Sequence, residues 1–313
     1  MRRLEPKRSG PGHPRCGWIH VALALFPLLL RADSVTNPPV ADTSLIEVAP
    51  DNNNGGQAWV LAGRTQNGPH DRGLYRFAFT NLPSHAIIQS VVLQLEVTRQ
   101  PGDMSAVNST FSLHRVFRPW GEGTNNATSN PGQGTPATPG GATWLHRFFP
   151  DVPWAAPGGE AGTDYSIAES AFQLIESPDL SPYRFESTPE LVADVQDWVR
   201  QPESNFGWML IGDEDVIFTA RRFNSREDPN AQPALEVSFV VPPRVERVTA
   251  AGSQIQLTFT GQAGLDHRVE FRDAFTFGDW QTLTNVGLIL APTNISVTDS
   301  ISSTQRFYRI EAH

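Results

Sequence analysis

Three stretches of the chain alternate apolar and polar side chains with a period of two. Val91, Leu93, Leu95 and Val97 alternate with Val92, Gln94 and Glu96. Leu235, Val237 and Phe239 alternate with Glu236 and Ser238, and Ile255, Leu257 and Phe259 with Gln254, Gln256, Thr258 and Thr260. Successive side chains of a strand point to opposite faces, so each stretch reads as a strand with one buried face. Residues 74–79 and 208–211 are apolar runs of strand length. Turn clusters separate these segments: Asn52-Asn53-Asn54-Gly55-Gly56, Asn67-Gly68-Pro69, Gln100-Pro101-Gly102-Asp103 and Gly212-Asp213-Glu214-Asp215. Short strands at this spacing predict an all-β chain built as a jelly-roll-like β-sandwich.

One helix interrupts the pattern. Thr188 suits the N-cap, Pro189 the first helical position and Glu190 the positive end of the helix dipole. Leu191, Val192, Val195, Trp198 and Val199 share one face, and Pro202 ends the run. That stripe predicts a helix packed across an end of the sheets. Residues 123–142, rich in Gly, Asn, Thr, Ser and Pro without apolar periodicity, read as a long flexible loop.

Of 313 residues, the only Lys is Lys7 and the only Cys is Cys16. The remaining chain therefore has no disulfide, thiol nucleophile, Cys-ligated zinc or Schiff-base lysine. Residues 1–32 read as an export signal. Arg2, Arg3, Lys7, Arg8 and Arg15 precede an apolar stretch over residues 17–30, and Leu30-Arg31-Ala32 offers a cleavage site. An uncleaved anchor is the competing reading. Cleavage removes six of 24 basic residues and one of 33 acids, leaving 18 Arg against 32 acids, a net charge of −14. So acidic a chain lacks the electrostatic footprint of a nucleic-acid binder. The expected location is secreted, extracellular or at the cell surface or periplasm, with no membrane span after cleavage. Asn108-Ser109-Thr110, Asn126-Ala127-Thr128 and Asn294-Ile295-Ser296 match the glycosylation sequon, which matters only in a eukaryotic secretory route.

Residues 33–43 read as a linker and 44–241 as the main domain. Val241-Pro242-Pro243 marks a boundary. Beyond it, the alternation at 254–260, Val269 to Phe271 and Ile295 to Val297 predicts a small immunoglobulin- or fibronectin-like sandwich over 243–313.

Several motifs occur in a telling order. Asn54-Gly55-Gly56 and Leu61-Ala62-Gly63 come first, then Leu74-Tyr75-Arg76-Phe77, Leu82-Pro83 and Ile87-Ile88-Gln89-Ser90. His114-Arg115-Val116, Trp120-Gly121-Glu122, Thr143-Trp144 and Trp154 follow, and Phe223-Asn224-Ser225-Arg226-Glu227 with Pro233-Ala234-Leu235 closes the series. In that order they resemble the DNRLRE domain, a secreted module grouped with carbohydrate-binding module family 96. The stretch between Glu122 and Thr143 is longer than is usual in that family. The tail, with Gly264, Val269-Glu270, Trp280, Asp299 and Gln305-Arg306-Phe307-Tyr308-Arg309, resembles a repeat at the C-termini of bacterial exported proteins, which implies a spacer or anchor.

The resemblance implies polysaccharide binding, with alginate-like acidic glycans among the ligands of relatives. Trp rings would stack on sugar faces and Arg forks would take hydroxyls or carboxylates. Trp120, Trp144 and Trp154 flank the long loop and are the expected stacking residues, with Glu122, Arg115, Arg222 and Arg226 as polar contacts and Arg221 beside them. For the Trp residues the competing reading is core packing, and for the Arg residues salt bridging. The net charge weakens the case for an acidic glycan and leaves neutral glycans open. Asp51, Asn53, Asp213 and Asp215 lie in oxygen-rich turns that would suit a structural calcium, a solvated turn being the alternative.

Three readings stand. The first is an exported, non-catalytic polysaccharide-binding module. The second is a structural or adhesive surface module, which predicts all three Trp residues buried. The third is a hydrolase or lyase, for which no motif selects a carboxylate pair. Glu122 and Glu169 are the acids nearest to candidates, and the His residues have no metal-binding spacing.

Overall fold

A computed structural model describes residues 32–102, 106–128, 131–251, 254–274, 278–300 and 305–312. The stretch read as an export signal lies, apart from Ala32, outside the described residues. The first strands are β1 (Asp33–Asn37), β2 (Pro39–Ile46), β3 (Asn52–Asn53), β4 (Trp59–Arg64), β5 (His70–Phe77), β6 (Ile87–Leu95), β7 (Val97–Arg99) and β8 (Ser109–Arg115). Then come β9 (Thr135–Pro136), β10 (His146–Phe148), β11 (Val152–Pro153), β12 (Ala171–Ile175) and β13 (Tyr183–Phe185). Helix α1 (Pro189–Arg200) precedes β14 (Trp208–Ile211), β15 (Arg221–Asn224) and β16 (Ala234–Val240). The last strands are β17 (Arg247–Ala251), β18 (Gln254–Gly261), β19 (Asp266–Arg272), β20 (Gln281–Leu288), β21 (Thr293–Ser300) and β22 (Phe307–Ala312). The chain is thus an all-β sandwich with one α-helix among the described residues. No helix there is long and apolar enough to cross a membrane.

Two antiparallel sheets make the larger body. One has the order β1-β16-β6-β13; the other runs β12-β8-β14-β5-β4-β15-β7, with β2 also paired to β5. The alternating run at 91–97 spans both. It leaves the smaller sheet at Glu96, where the Glu96 N–H donates to Asn224 Oδ1 and the Asn224 N–H donates to the Glu96 carbonyl, both at 2.9 Å. Val97 then pairs with Phe223 in the larger sheet. A single alternating stretch therefore serves as a hinge between layers, and both of its halves stay buried.

Between the sheets lies a core of Leu93, Leu95, Leu235 and Val237 from one layer and Tyr75, Phe77, Phe111, Trp208 and Phe223 from the other. Helix α1 closes one end. Thr188 Oγ1 accepts the Leu191 N–H at 3.0 Å, Pro189 starts the helix, and Leu191, Val195, Trp198 and Val199 enter the core. Trp198 meets Trp208 edge to face at 4.6 Å.

The larger sheet is buried on its other face too. Leu74 and Met209 alternate with Tyr75 and Trp208, so they point outward and need a cover. Residues 116–170 supply it: Trp120, Trp144, Trp154 and Tyr165 pack with Leu45, Leu74 and Met209 in a second core. The flexible loop expected over 123–142 is corrected here. Its described parts are tied down by β9 pairing with β3 and by hydrogen bonds from Asn53 Nδ2 to Ala142 O, from the Gly56 N–H to Asn125 O and from Gln57 Nε2 to Ala127 O.

Residues 241–246 link this body to two three-stranded sheets, β17-β18-β21 and β20-β19-β22. Their shared core is Leu257, Phe259, Val269 and Val297. Arg268 and Arg309 pair with Glu270 and Glu311 across β19 and β22, while Arg272 and Arg309 each lie over the ring of Trp280. Gln262 Nε2 donates to the Val241 carbonyl at the junction.

Candidate functional site

The three Trp residues expected to stack sugars are buried, with 2%, 7% and 4% exposure for Trp120, Trp144 and Trp154. Trp120 Nε1 donates to Phe206 O at 2.8 Å and Trp154 Nε1 to Thr143 O at 3.0 Å, so their polar edges are spent inside the protein. Arg76 lies over the Trp120 ring and Arg72 over Trp144. This corrects the expectation of sugar-stacking faces: the outer face of the large sheet needs apolar cover, and these rings provide it.

The expected polar contacts are dispersed. Arg115 pairs with Asp197 at 2.9 Å and Asp194 at 3.3 Å and lies over Trp198, so it braces α1. Arg221 is buried and donates to the carbonyls of Val107, Thr219 and Glu176. The structure does bring Glu122 and Arg226 together, at 2.6 Å. Arg226 also pairs with Glu227 at 2.9 Å, its backbone N–H donates to Asp42 Oδ2, and the Asp42 N–H donates to Glu122 Oε1. Carboxylate oxygens of Asp42, Glu122 and Glu227 come within 4.8 Å of one another. Burial raises the pKa of Asp42 well above the carboxylate range, against the pull of the Arg226 N–H, and burial also raises Glu227. Of the acidic groups described, this trio has the spacing to hold a cation. Its present role is to join β2, the loop at Glu122 and the loop after β15.

The four residues expected at a calcium site do other work. Asn53 is buried; its Nδ2 donates to Thr43 Oγ1, Glu122 O and Ala142 O, and its Oδ1 accepts the Gly55 N–H. Asp51 is exposed and 3.8 Å from His146 Nδ1. Asp213 Oδ1 accepts the N–H groups of Asp215 and Val216, and the Asp215 carbonyl accepts from Arg64. Those oxygens shape turns, as short Asp and Asn side chains do in loops.

The remaining expected residue, Arg222, stands at a cleft of about 270 Å³ at the edge of the large sheet, which Thr65, Gln66, Asp71, Arg99 and Arg222 help to line. Register places Arg222 of β15 directly opposite Arg99 of β7. Burial, and then the charge of Arg99, lower the pKa of Arg222. The Arg222 guanidinium lies 4.6 Å from the centroid of Trp59, whose buried Nε1 has no hydrogen-bond partner among the described residues. Asp71 is 3% exposed; its Oδ1 is buried and equally unpartnered. Burial, and then the nearby Glu47, raise its pKa well above the usual value. A cleft with two adjacent guanidiniums and a buried carboxyl can take a ligand that offers several oxygens.

Nothing local in the sequence marks Arg99, Asp71 and Trp59 as site residues. Trp59 and Arg222 meet only through the pairing of β4 with β15, and Arg99 joins them through β7. Asp71 sits between His70 and Arg72 and looks like part of a solvated charged run.

No family model matches the chain, and no curated protein matches it. A solved structure of a beta-1,2-glucanase from Parabacteroides distasonis is similar at 9% sequence identity and a TM-score of 0.20, over 90% of this chain and 34% of that one. The chain thus spans about a third of the length of that protein, and the resemblance to the DNRLRE module rests on the order of its motifs alone.

Proposed function

We propose that this chain is an exported, non-catalytic module that binds polysaccharide, and that the cleft at Arg99, Arg222 and Asp71 is where it does so. The observation that carries the reading is the placement of Arg99 and Arg222 opposite each other in register at one cleft. Setting like charges opposite each other on a ladder costs stability. An anionic or oxygen-rich ligand offsets that cost. Stacking on Trp59 holds the Arg222 fork in place, which favours bidentate contact with a carboxylate or with paired hydroxyls. The glycan class comes from the motif order described above.

The burial of Trp120, Trp144 and Trp154 favours a second reading, a structural or adhesive surface module without glycan binding. The hydrolase or lyase reading draws less support, because glycoside hydrolysis needs two carboxylates facing a bond in a cleft. Asp42 is 1% exposed, and Arg226 bridges Glu122 and Glu227.

Affinity electrophoresis of the full chain in gels containing alginate, pectate, laminarin or xylan tests the proposal. Retardation by at least one polymer, lost in R99A/R222A, is the expected result. Unretarded migration in every gel favours the structural reading. Release of reducing ends or unsaturated products from any of these polymers favours the enzyme.

A further inference from the structure

Six acids are buried among the described residues: Asp42, Asp71, Asp164, Asp194, Glu270 and Asp299. Five have hydrogen-bond or ion-pair partners. Asp42 accepts the Arg226 N–H; Asp164 accepts the N–H groups of Ala155 and Glu160; Asp194 accepts from Ser170, Trp208 and Arg115. Glu270 meets Arg268 and Arg309, and Asp299 meets Arg306 and Tyr308. Asp71 alone has an oxygen sealed from solvent with no partner, and it lines the arginine cleft. A buried polar atom left unpaired costs about 1–3 kcal/mol, so a retained one calls for an explanation.

We propose that Asp71 sets the specificity of this cleft by hydrogen-bonding a hydroxyl of the same glycan whose oxygens meet Arg99 and Arg222. The proposal rests on the glycan-binding reading of the cleft. The charged groups around Asp71 leave that role to the ligand. Glu47, after β2, is held by His70 at 2.7 Å. Arg64 of β4 donates to the carbonyls of Gly68 and Asp215, and Arg221 of β15 to backbone carbonyls. Across the cleft, Arg222 stacks on Trp59, and Arg99 faces it from β7. Burial, and then Glu47, hold the Asp71 carboxyl protonated beyond the usual range, and in that form it carries one O–H donor and one acceptor oxygen. A sugar hydroxyl matches both. Once the group ionises, the donor is lost and a negative charge faces a ligand chosen by arginines.

The test is titration of the full chain with whichever polymer retards it, between pH 5 and 9, where uronate carboxylates stay ionised. The wild type is compared with D71N, D71L and R99A/R222A. D71L is expected to lose affinity about tenfold, the worth of one hydrogen bond in a buried site. D71N, which keeps a donor and an acceptor, is expected to bind like the wild type at pH 5. Wild-type affinity should fall as pH rises, while D71N stays flat. If R99A/R222A abolishes binding but D71L binds like the wild type, the Asp71 role is overturned and the cleft reading survives. If wild type and R99A/R222A behave alike, both are overturned. Should near-UV circular dichroism show D71L unfolded, the D71N profile decides: a pH slope equal to the wild type's overturns the role.

Discussion

Gly158 lies against the indole of Trp144 so closely that a Cβ there would stand 2.7 Å from two ring carbons. Its φ of +80° is also one that side-chain-bearing residues rarely adopt. Both residues belong to the segment that covers the large sheet, so the contact fixes one part of that cover against another. Replacing Gly158 by Ala should therefore destabilise by about 2–4 kcal/mol, combining overpacking with backbone strain. Thermal melts check this. A melting temperature within a degree of wild type would mean that this cover shifts freely and that Trp144 is not fixed.

Asp194 joins α1 to the larger sheet by accepting from Ser170 Oγ at 2.6 Å, Trp208 Nε1 at 2.8 Å and Arg115 Nη1 at 3.3 Å. Truncating it to Ala strands a buried indole N–H and removes one of the two carboxylates paired with Arg115. The expected loss is about 2–4 kcal/mol in urea denaturation. Asp194→Asn keeps an acceptor oxygen and should lose clearly less. Equal losses for the two variants would show that charge, rather than hydrogen-bond acceptance, is what matters here.

The elements legible from sequence are those with local causes. The period-two runs predict β6, β16 and β18, and the cap, proline and apolar stripe predict α1, because these signals lie within a few residues of each other. Burial of a loop is not local. Nothing around Trp120, Trp144 and Trp154 announces that the outer face of the large sheet is apolar at Leu74 and Met209, since that face is defined by pairing β5 with β14. The Asn53 turn looks polar and solvated, yet it is a buried hub because the backbone at Glu122 and Ala142 closes over it. The cleft is illegible for the same reason. Arg222 stands out in the sequence as one basic residue among several, but Arg99, Trp59 and Asp71 arrive from three other strands.

Arg226 pairs through its side chain with Glu122 and Glu227 beside the buried Asp42, and its removal should cost more at neutral pH than in acid. At neutral pH, R226A leaves Glu122 and Glu227 facing each other beside the buried Asp42. The Arg226 side chain is 39% exposed, so solvent screening holds the cost to about 1 kcal/mol. Burial raises the pKa of Asp42 and Glu227, so lowering the pH to 4 removes charge from these two groups and the cost should shrink. Urea melts of wild type and variant at the two pH values measure this. A penalty that stays constant with pH would assign it to lost packing of the guanidinium stem.

Asp71 also makes a prediction about stability that needs no ligand. Its folded pKa lies above its unfolded value near 4, because burial, and then Glu47, disfavour the charged form. The native state therefore holds this proton more tightly than the unfolded chain does. The sign follows from linkage: the group does not penalise folding below pH 4, and the native state loses stability as pH rises from there through the folded pKa. Asp71→Asn cannot ionise, so it escapes this loss. Differential scanning fluorimetry across pH 4–8 should show a melting temperature for D71N close to wild type at pH 4 and increasingly above it toward pH 8. A difference that is flat, or that shrinks as pH rises, would mean that Asp71 already has a partner when ionised, and its place in the cleft would need another account.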